Sequence, residues 1–119
     1  MTVSIQTDPC DPLLVGLRIA VNEQASSTTI RLDGEWDLAA REAARRAVRH
    51  TLSRRPARVV LDLSGLTFID SSGIHVVIEL VKRAARLKIE LAIIPGSAAV
   101  QRIFDVCALT ARLPFTSHG

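Results

Sequence analysis

Residues 59–78 read VVLDLSGLTFIDSSGIHVVI. Val59-Val60-Leu61 opens a nearly continuous apolar run, as expected of a strand covered on both faces or central to its sheet. Ser64-Gly65 bends the chain, and Thr67-Phe68-Ile69 bring it back to Asp70-Ser71-Ser72-Gly73. A second apolar run follows at helical spacing. The stretch therefore places two hydroxyls and a carboxylate where a strand hands over to a helix. Backbone N–H groups at a helix start are unpaired and partly positive. A small polar loop there can present a serine to a partner and later accommodate a phosphate. The plainer reading makes Ser71 or Ser72 an N-cap and nothing more.

Beyond this junction, the second helix runs from about Ser72 to Leu87. Its spacing turns Ile74, Val77, Ile78, Val81 and Ala85 to the core, and His75, Glu79, Lys82 and Arg86 to solvent. Glu79 and Arg83 form an i, i+4 pair. Upstream, Leu38 to Arg55 is the clearest helix. Ala40, Ala43, Ala44, Ala47, Val48, Thr51 and Leu52 make its buried stripe, with Arg41, Arg45 and Arg49 on the other side. Asp37 is its expected N-cap, and Pro56 closes its exit. Leu13 to Val21 and Thr28 to Leu32 read as a strand pair separated by the polar residues Asn22 to Ser27. Asp33-Gly34 reads as a turn.

Downstream, Ile89 to Ile94 is a strand ended by Pro95-Gly96. Ser97 caps a third helix with the stripe Val100, Ile103, Phe104 and Cys107, and Leu113 to Phe115 adds a short edge segment. Residues 1–12 carry Asp8-Pro9 and Asp11-Pro12 and read as a flexible lead, with the domain at 13–117. The order β-β-α-β-α-β-α implies an α/β fold: a mixed sheet with parallel central strands and right-handed crossovers.

The chain has 119 residues, enough for one compact domain and too few for two. Aromatic residues make up 3% and Tyr is absent, so the core must be aliphatic and base-stacking platforms are not available. The net charge is +3. Its distribution argues against a nucleic-acid partner, because Arg41, Arg45, Arg46, Arg49, Arg54, Arg55 and Arg58 fall on one helix and its exit. A single basic face of that kind reads as solvated surface. Cys10 and Cys107 have no metal-ligand spacing. Cys107 is expected as a buried free thiol, with no structural disulfide. The first residues lack a secretory leader pattern, and no segment reaches the roughly 18 apolar residues of a membrane span. The expectation is a cytoplasmic protein.

Two stretches carry a family resemblance. Leu32-Asp33-Gly34-Glu35-Trp36-Asp37 is close to the apolar-x-Gly-Glu-apolar-Asp element before the first helix of STAS-domain proteins of the anti-sigma factor antagonist type. Val60 to Gly73 is similar to that family's strand-loop-phosphosite signature almost throughout, and the likeness in layout extends from about residue 14 to 116. The resemblance implies one STAS-like domain, with a mixed sheet of four to five strands and three to four helices packed mainly on one side. It also implies a mechanism. The unmodified protein binds an anti-sigma factor that is a serine kinase and so frees a sigma factor. The kinase phosphorylates the serine after the motif's Asp, the phosphorylated form lets go, and a metal-dependent serine phosphatase restores it. Carried over, the phosphoacceptor is Ser71, with Ser72 the alternative, and Asp37 and Asp70 are the motif aspartates. The expected partner-contacting set is Trp36, Asp37, Asp70, Ser72, Gly73 and His75. No catalysis, cofactor, membrane or nucleic-acid contact is implied, and the expected state is a monomer or weak dimer.

The sequence departs from the family pattern in three places. His75 stands where the family commonly has a small residue; it narrows access to the loop, alters partner choice, or is simply a surface histidine. Trp36 replaces the usual aliphatic residue. If exposed it is a natural anchor for a partner; the alternative is packing at the sheet edge. The Arg-rich helix is unusually basic and suits an acidic partner surface. A rival reading is a STAS regulatory or scaffold module in another signalling assembly. A serine hydrolase fares badly: there is no G-x-S-x-G, and His50, His75 and His118 are not recognisable triad bases.

Overall fold

The computed structural model describes Thr2–Val3 and residues 16–116. Five strands form one sheet in the order β1 (Thr2–Val3), β2 (Leu17–Gln24), β3 (Ser27–Trp36), β4 (Arg58–Ile69) and β5 (Glu90–Ile94). The β1–β2 and β2–β3 pairs are antiparallel, and β3–β4 and β4–β5 are parallel. A 3₁₀ turn (Leu38–Ala40) and helix α1 (Arg41–Ser53) connect β3 to β4. Helix α2 (Ser71–Leu87) connects β4 to β5, and α3 (Ala98–Val106) follows. The expected edge segment is present as a parallel bridge between Ile93 and Phe115. The rest of the expected lead, with Cys10, and the first residues of the strand expected from Leu13 lie outside the described residues.

Alternation decides which face is covered. Leu17, Ile19 and Val21 on β2, Ile30 and Leu32 on β3, and Val59, Leu61 and Leu63 on β4 are buried beneath the helices. The opposite face carries Arg18, Arg31, Asp33 and Asp62. Arg31 bridges Asp33 at 3.0 Å and Asp62 at 3.3 Å. These carboxylates, Asp33 foremost, raise the Arg31 pKa still further, so this is a fixed-charge network rather than a pH switch.

Two expected bends prove to be irregularities inside strands. Asp33-Gly34 is no turn: β3 runs through it to Trp36, and the β3–β4 register shifts between Arg31 and Asp33 and again between Gly34 and Glu35. Gly34 has φ +101, and an added Cβ would lie 2.1 Å from the Gly16 carbonyl oxygen, so a side chain is excluded there. Ser64-Gly65 likewise lies within β4. Each shift places one extra β4 residue against β3. Together they bring Ile69 opposite Trp36 with both side chains in the core.

The core is aliphatic as expected; among the described residues the only fully buried aromatic rings are Trp36 and Phe104. The α1 stripe of Ala43, Ala44, Ala47, Val48, Thr51 and Leu52 is buried as read. On α2, Ile74 and Val77 are buried, but Val76, Leu80 and Ala84 complete the stripe and Ala85 is exposed. The helix is rotated because it packs against α1 as well as the sheet. Glu79 accordingly pairs across to Arg45 at 3.0 Å. On α3, Val100 and Phe104 are buried while Ile103 is 37% exposed. Cys107 is exposed as the C-cap residue, correcting the buried-thiol expectation. This short helix covers the sheet along one narrow stripe only.

Candidate functional site

Trp36 and Ile69 end adjacent parallel strands in register. The residues after them, Asp37 and Asp70, therefore emerge side by side at the carboxyl edge of the sheet, where ligands of open α/β sheets commonly bind. The two aspartates have the same extended backbone, φ −113 and ψ −174, and each caps the helical segment that follows. The Asp37 carboxylate accepts from Ala40 N–H at 3.3 Å. The Asp70 carboxylate accepts from Ser72 N–H at 2.9 Å and Gly73 N–H at 3.3 Å. Ser72 Oγ donates to the same Asp70 oxygen at 2.5 Å, the length of a charge-assisted bond. Asp70 N–H donates to the Trp36 carbonyl at 3.2 Å and ties the two turns together.

The N-cap of α2 is therefore Asp70, and neither serine fills that position. The two serines instead divide. Ser71 is the first residue of α2 and is exposed. Ser72 is 7% exposed, with its hydroxyl committed to Asp70. His75 is exposed one turn beyond Ser71, on the same helix face.

Two of the expected contact residues are structural. Trp36 is fully buried, which removes it as an exposed anchor. Gly73 packs against it: an added Cβ would lie 2.8 Å from Ile69 Cγ1 and 3.0 Å from Trp36 Cδ2. Gly73 is thus the residue that lets the first turn of α2 sit on the indole. The buried Trp36 Nε1 has no hydrogen-bond partner, a cost the ring's burial must offset.

The surface also holds two residues that the sequence reading did not single out. Leu38, next to Asp37, is 65% exposed, and Phe68, two residues before Asp70, is 47% exposed. Strand alternation was the available signal for Phe68, because it and buried Ile69 cannot face the same way. Exposed large apolar groups beside a polar loop are a mark of interaction surfaces. Among the described residues there is no group of three or more His, Cys, Asp and Glu placed to hold a metal. No helix among them is long and apolar enough to cross a membrane.

Comparison with known proteins places this architecture. The family model for the STAS domain matches residues 18–118. An anti-sigma F factor antagonist from Paenibacillus polymyxa is 28% identical over 101 residues, covering 84% of this chain and 86% of that protein. An anti-sigma factor antagonist from Mycobacterium paratuberculosis superposes with a TM-score of 0.79 at 18% identity, covering 90% of this chain and 89% of that one. The Bacillus cell fate determinant SpoIIAA in its phosphorylated form superposes with a TM-score of 0.65 at 19% identity, covering 84% and 92%.

Proposed function

This chain belongs to the STAS-domain family, and on that premise we propose that it is an anti-sigma factor antagonist switched by phosphorylation of Ser71. STAS domains are non-catalytic regulatory modules, so the chain acts by binding. In this reading the unmodified protein docks an anti-sigma factor with serine kinase activity. Transfer of phosphate to Ser71 releases it, and a metal-dependent serine phosphatase resets it. The docking surface comprises Asp37, Leu38, Phe68, Asp70 and His75 around Ser71. The antagonist from Paenibacillus polymyxa and the phosphorylated form of SpoIIAA support the reading.

The observation that carries it is the division between the two serines. Ser71 Oγ is open to a kinase, while Ser72 is buried and bonded to Asp70. Phosphate brings about −1.5 to −2 charge at neutral pH. The fold tolerates it, since the helix N-terminus offsets part of the repulsion from Asp70. An interface does not, because a dianion covered by a partner must be desolvated or paired. A penalty of about 3 kcal/mol weakens binding by roughly a hundredfold. That suffices for a switch without a large conformational change.

The test is incubation with the cognate kinase and ATP, read by intact mass and peptide mapping. Ser71→Ala is expected to bind the kinase and escape modification, and Ser72→Ala to remain a substrate. Incorporation lost in Ser72→Ala but retained in Ser71→Ala would move the site by one residue. Neither binding nor incorporation with any kinase of this type encoded by the organism would overturn the antagonist reading.

A further inference from the structure

Arg49, Arg55, Arg83 and Arg86 line one concave site of about 340 Å³ between the C-terminal ends of α1 and α2, floored by Leu52 and Leu87. We propose that this is a binding site for a small polyanion carrying two or more linked phosphate groups.

The charge around the site is unbalanced. Along the α1–α2 groove, Glu42 and Glu79 are both engaged by Arg45 at 3.0 Å. Beyond it, Glu23 pairs with Arg54 at 2.8 Å and Glu90 with Arg58 at 3.5 Å. No ion pair among the described residues includes Arg49, Arg55, Arg83 or Arg86. Helix C-termini attract cations, but each is worth only about half a charge. Two helix ends therefore leave most of the charge of four guanidiniums uncompensated. Like charges so arranged repel one another, and a bound polyanion relieves that repulsion.

The lining chemistry also suits a polyanion. The volume alone does not single the site out, since two other depressions reach about 360 and 400 Å³; its lining by four arginines does. The depression is open to solvent and its four arginines are exposed, so a linear polyanion can enter it directly. Guanidinium forks bind phosphate oxygens in pairs, and several forks around one hollow suit linked phosphates better than a single one. No aromatic side chain lines the site, so nothing there stacks a base. Recognition therefore rests on the phosphate chain.

The site does not depend on the proposed phosphoswitch. Arg83 and Arg86 lie twelve and fifteen residues along α2 from Ser71, roughly 20 Å away at 1.5 Å per residue.

The experiment is calorimetric titration of the full chain with inorganic tripolyphosphate at low salt. One saturable site of micromolar affinity is expected. Arg49→Gln with Arg83→Gln should weaken it by at least about tenfold, through loss of charge-assisted pairs. Arg18→Gln with Arg102→Gln removes the same charge from exposed positions elsewhere and should leave affinity within about twofold. ATP should bind no more tightly than tripolyphosphate, and orthophosphate more weakly. Thermal melting confirms that each variant is folded. Absence of saturable binding, equal loss in both double variants, or tenfold tighter binding of ATP would each overturn the proposal.

Discussion

Asp70 joins the site to the fold, and replacing it separates the two. Its carboxylate caps α2 through Ser72 N–H and Gly73 N–H and accepts the hydrogen bond of the buried Ser72 hydroxyl. In Asp70→Ala the lost cap costs about 1 kcal/mol. The stranded, buried Ser72 hydroxyl adds about 1–2 kcal/mol, because water reaches it poorly. The expected loss is about 2–3 kcal/mol, or roughly 10 °C in melting temperature for a domain of this size. Asp70→Asn keeps an acceptor in the same place and forfeits only the charge at the helix end, about 0.5–1 kcal/mol. Ser72→Ala in the Asp70→Ala background removes the stranded hydroxyl, so the double variant should be more stable than the additive sum by about 1 kcal/mol. The assay is urea unfolding followed by far-UV circular dichroism, with unchanged m-values. An Asp70→Ala variant within about 0.5 kcal/mol of the parent, or an Asn variant as weak as the Ala variant, would refute the capping argument.

Other outcomes follow from burial and pairing. Arg45→Gln should cost about 0.5–1 kcal/mol, because Arg45 joins α1 to α2 through Glu79 and also holds Glu42, each at 3.0 Å. Arg41→Gln with Arg49→Gln should be nearly neutral; equal losses in the two variants, by chemical denaturation, would contradict the interhelical pairing. Gly73→Val should destabilise by about 1–3 kcal/mol or prevent folding, because its Cβ would lie 2.8 Å from Ile69; a parent-like unfolding midpoint would show that α2 can shift off Trp36. The single tryptophan should emit in the blue and resist iodide quenching until the protein unfolds, given its complete burial; a red-shifted native spectrum would place it in solvent. Cys107 should react with Ellman's reagent in the native protein, being exposed, whereas reaction only after denaturation would restore the buried thiol.

The order of strands and helices from β2 onward, the aliphatic core, the alanine stripe of α1 and the exposed serine at a strand-to-helix junction were all legible in the chain, whereas the edge strand β1 was not. Each rests on local pattern: period-2 or period-3.6 apolar spacing, Pro and Gly punctuation, and short polar residues where backbone N–H groups need acceptors. What lies outside that pattern was decided by neighbours distant in sequence. Whether Asp33-Gly34 is a turn or a bulge depends on β4 lying beside it with extra residues to absorb. Whether Trp36 is an anchor or core depends on Gly73, thirty-seven positions away, leaving room for the indole. Cys107 has the spacing of a buried stripe, yet the neighbouring elements leave it in solvent. Asp37 and Asp70 are each readable as a cap, but their adjacency is a property of parallel pairing. The arginines of α1 and α2 form one concavity only because the helices pack together. Local periodicity specifies which face of an element is apolar; only packing specifies what that face, and the one opposite, will meet.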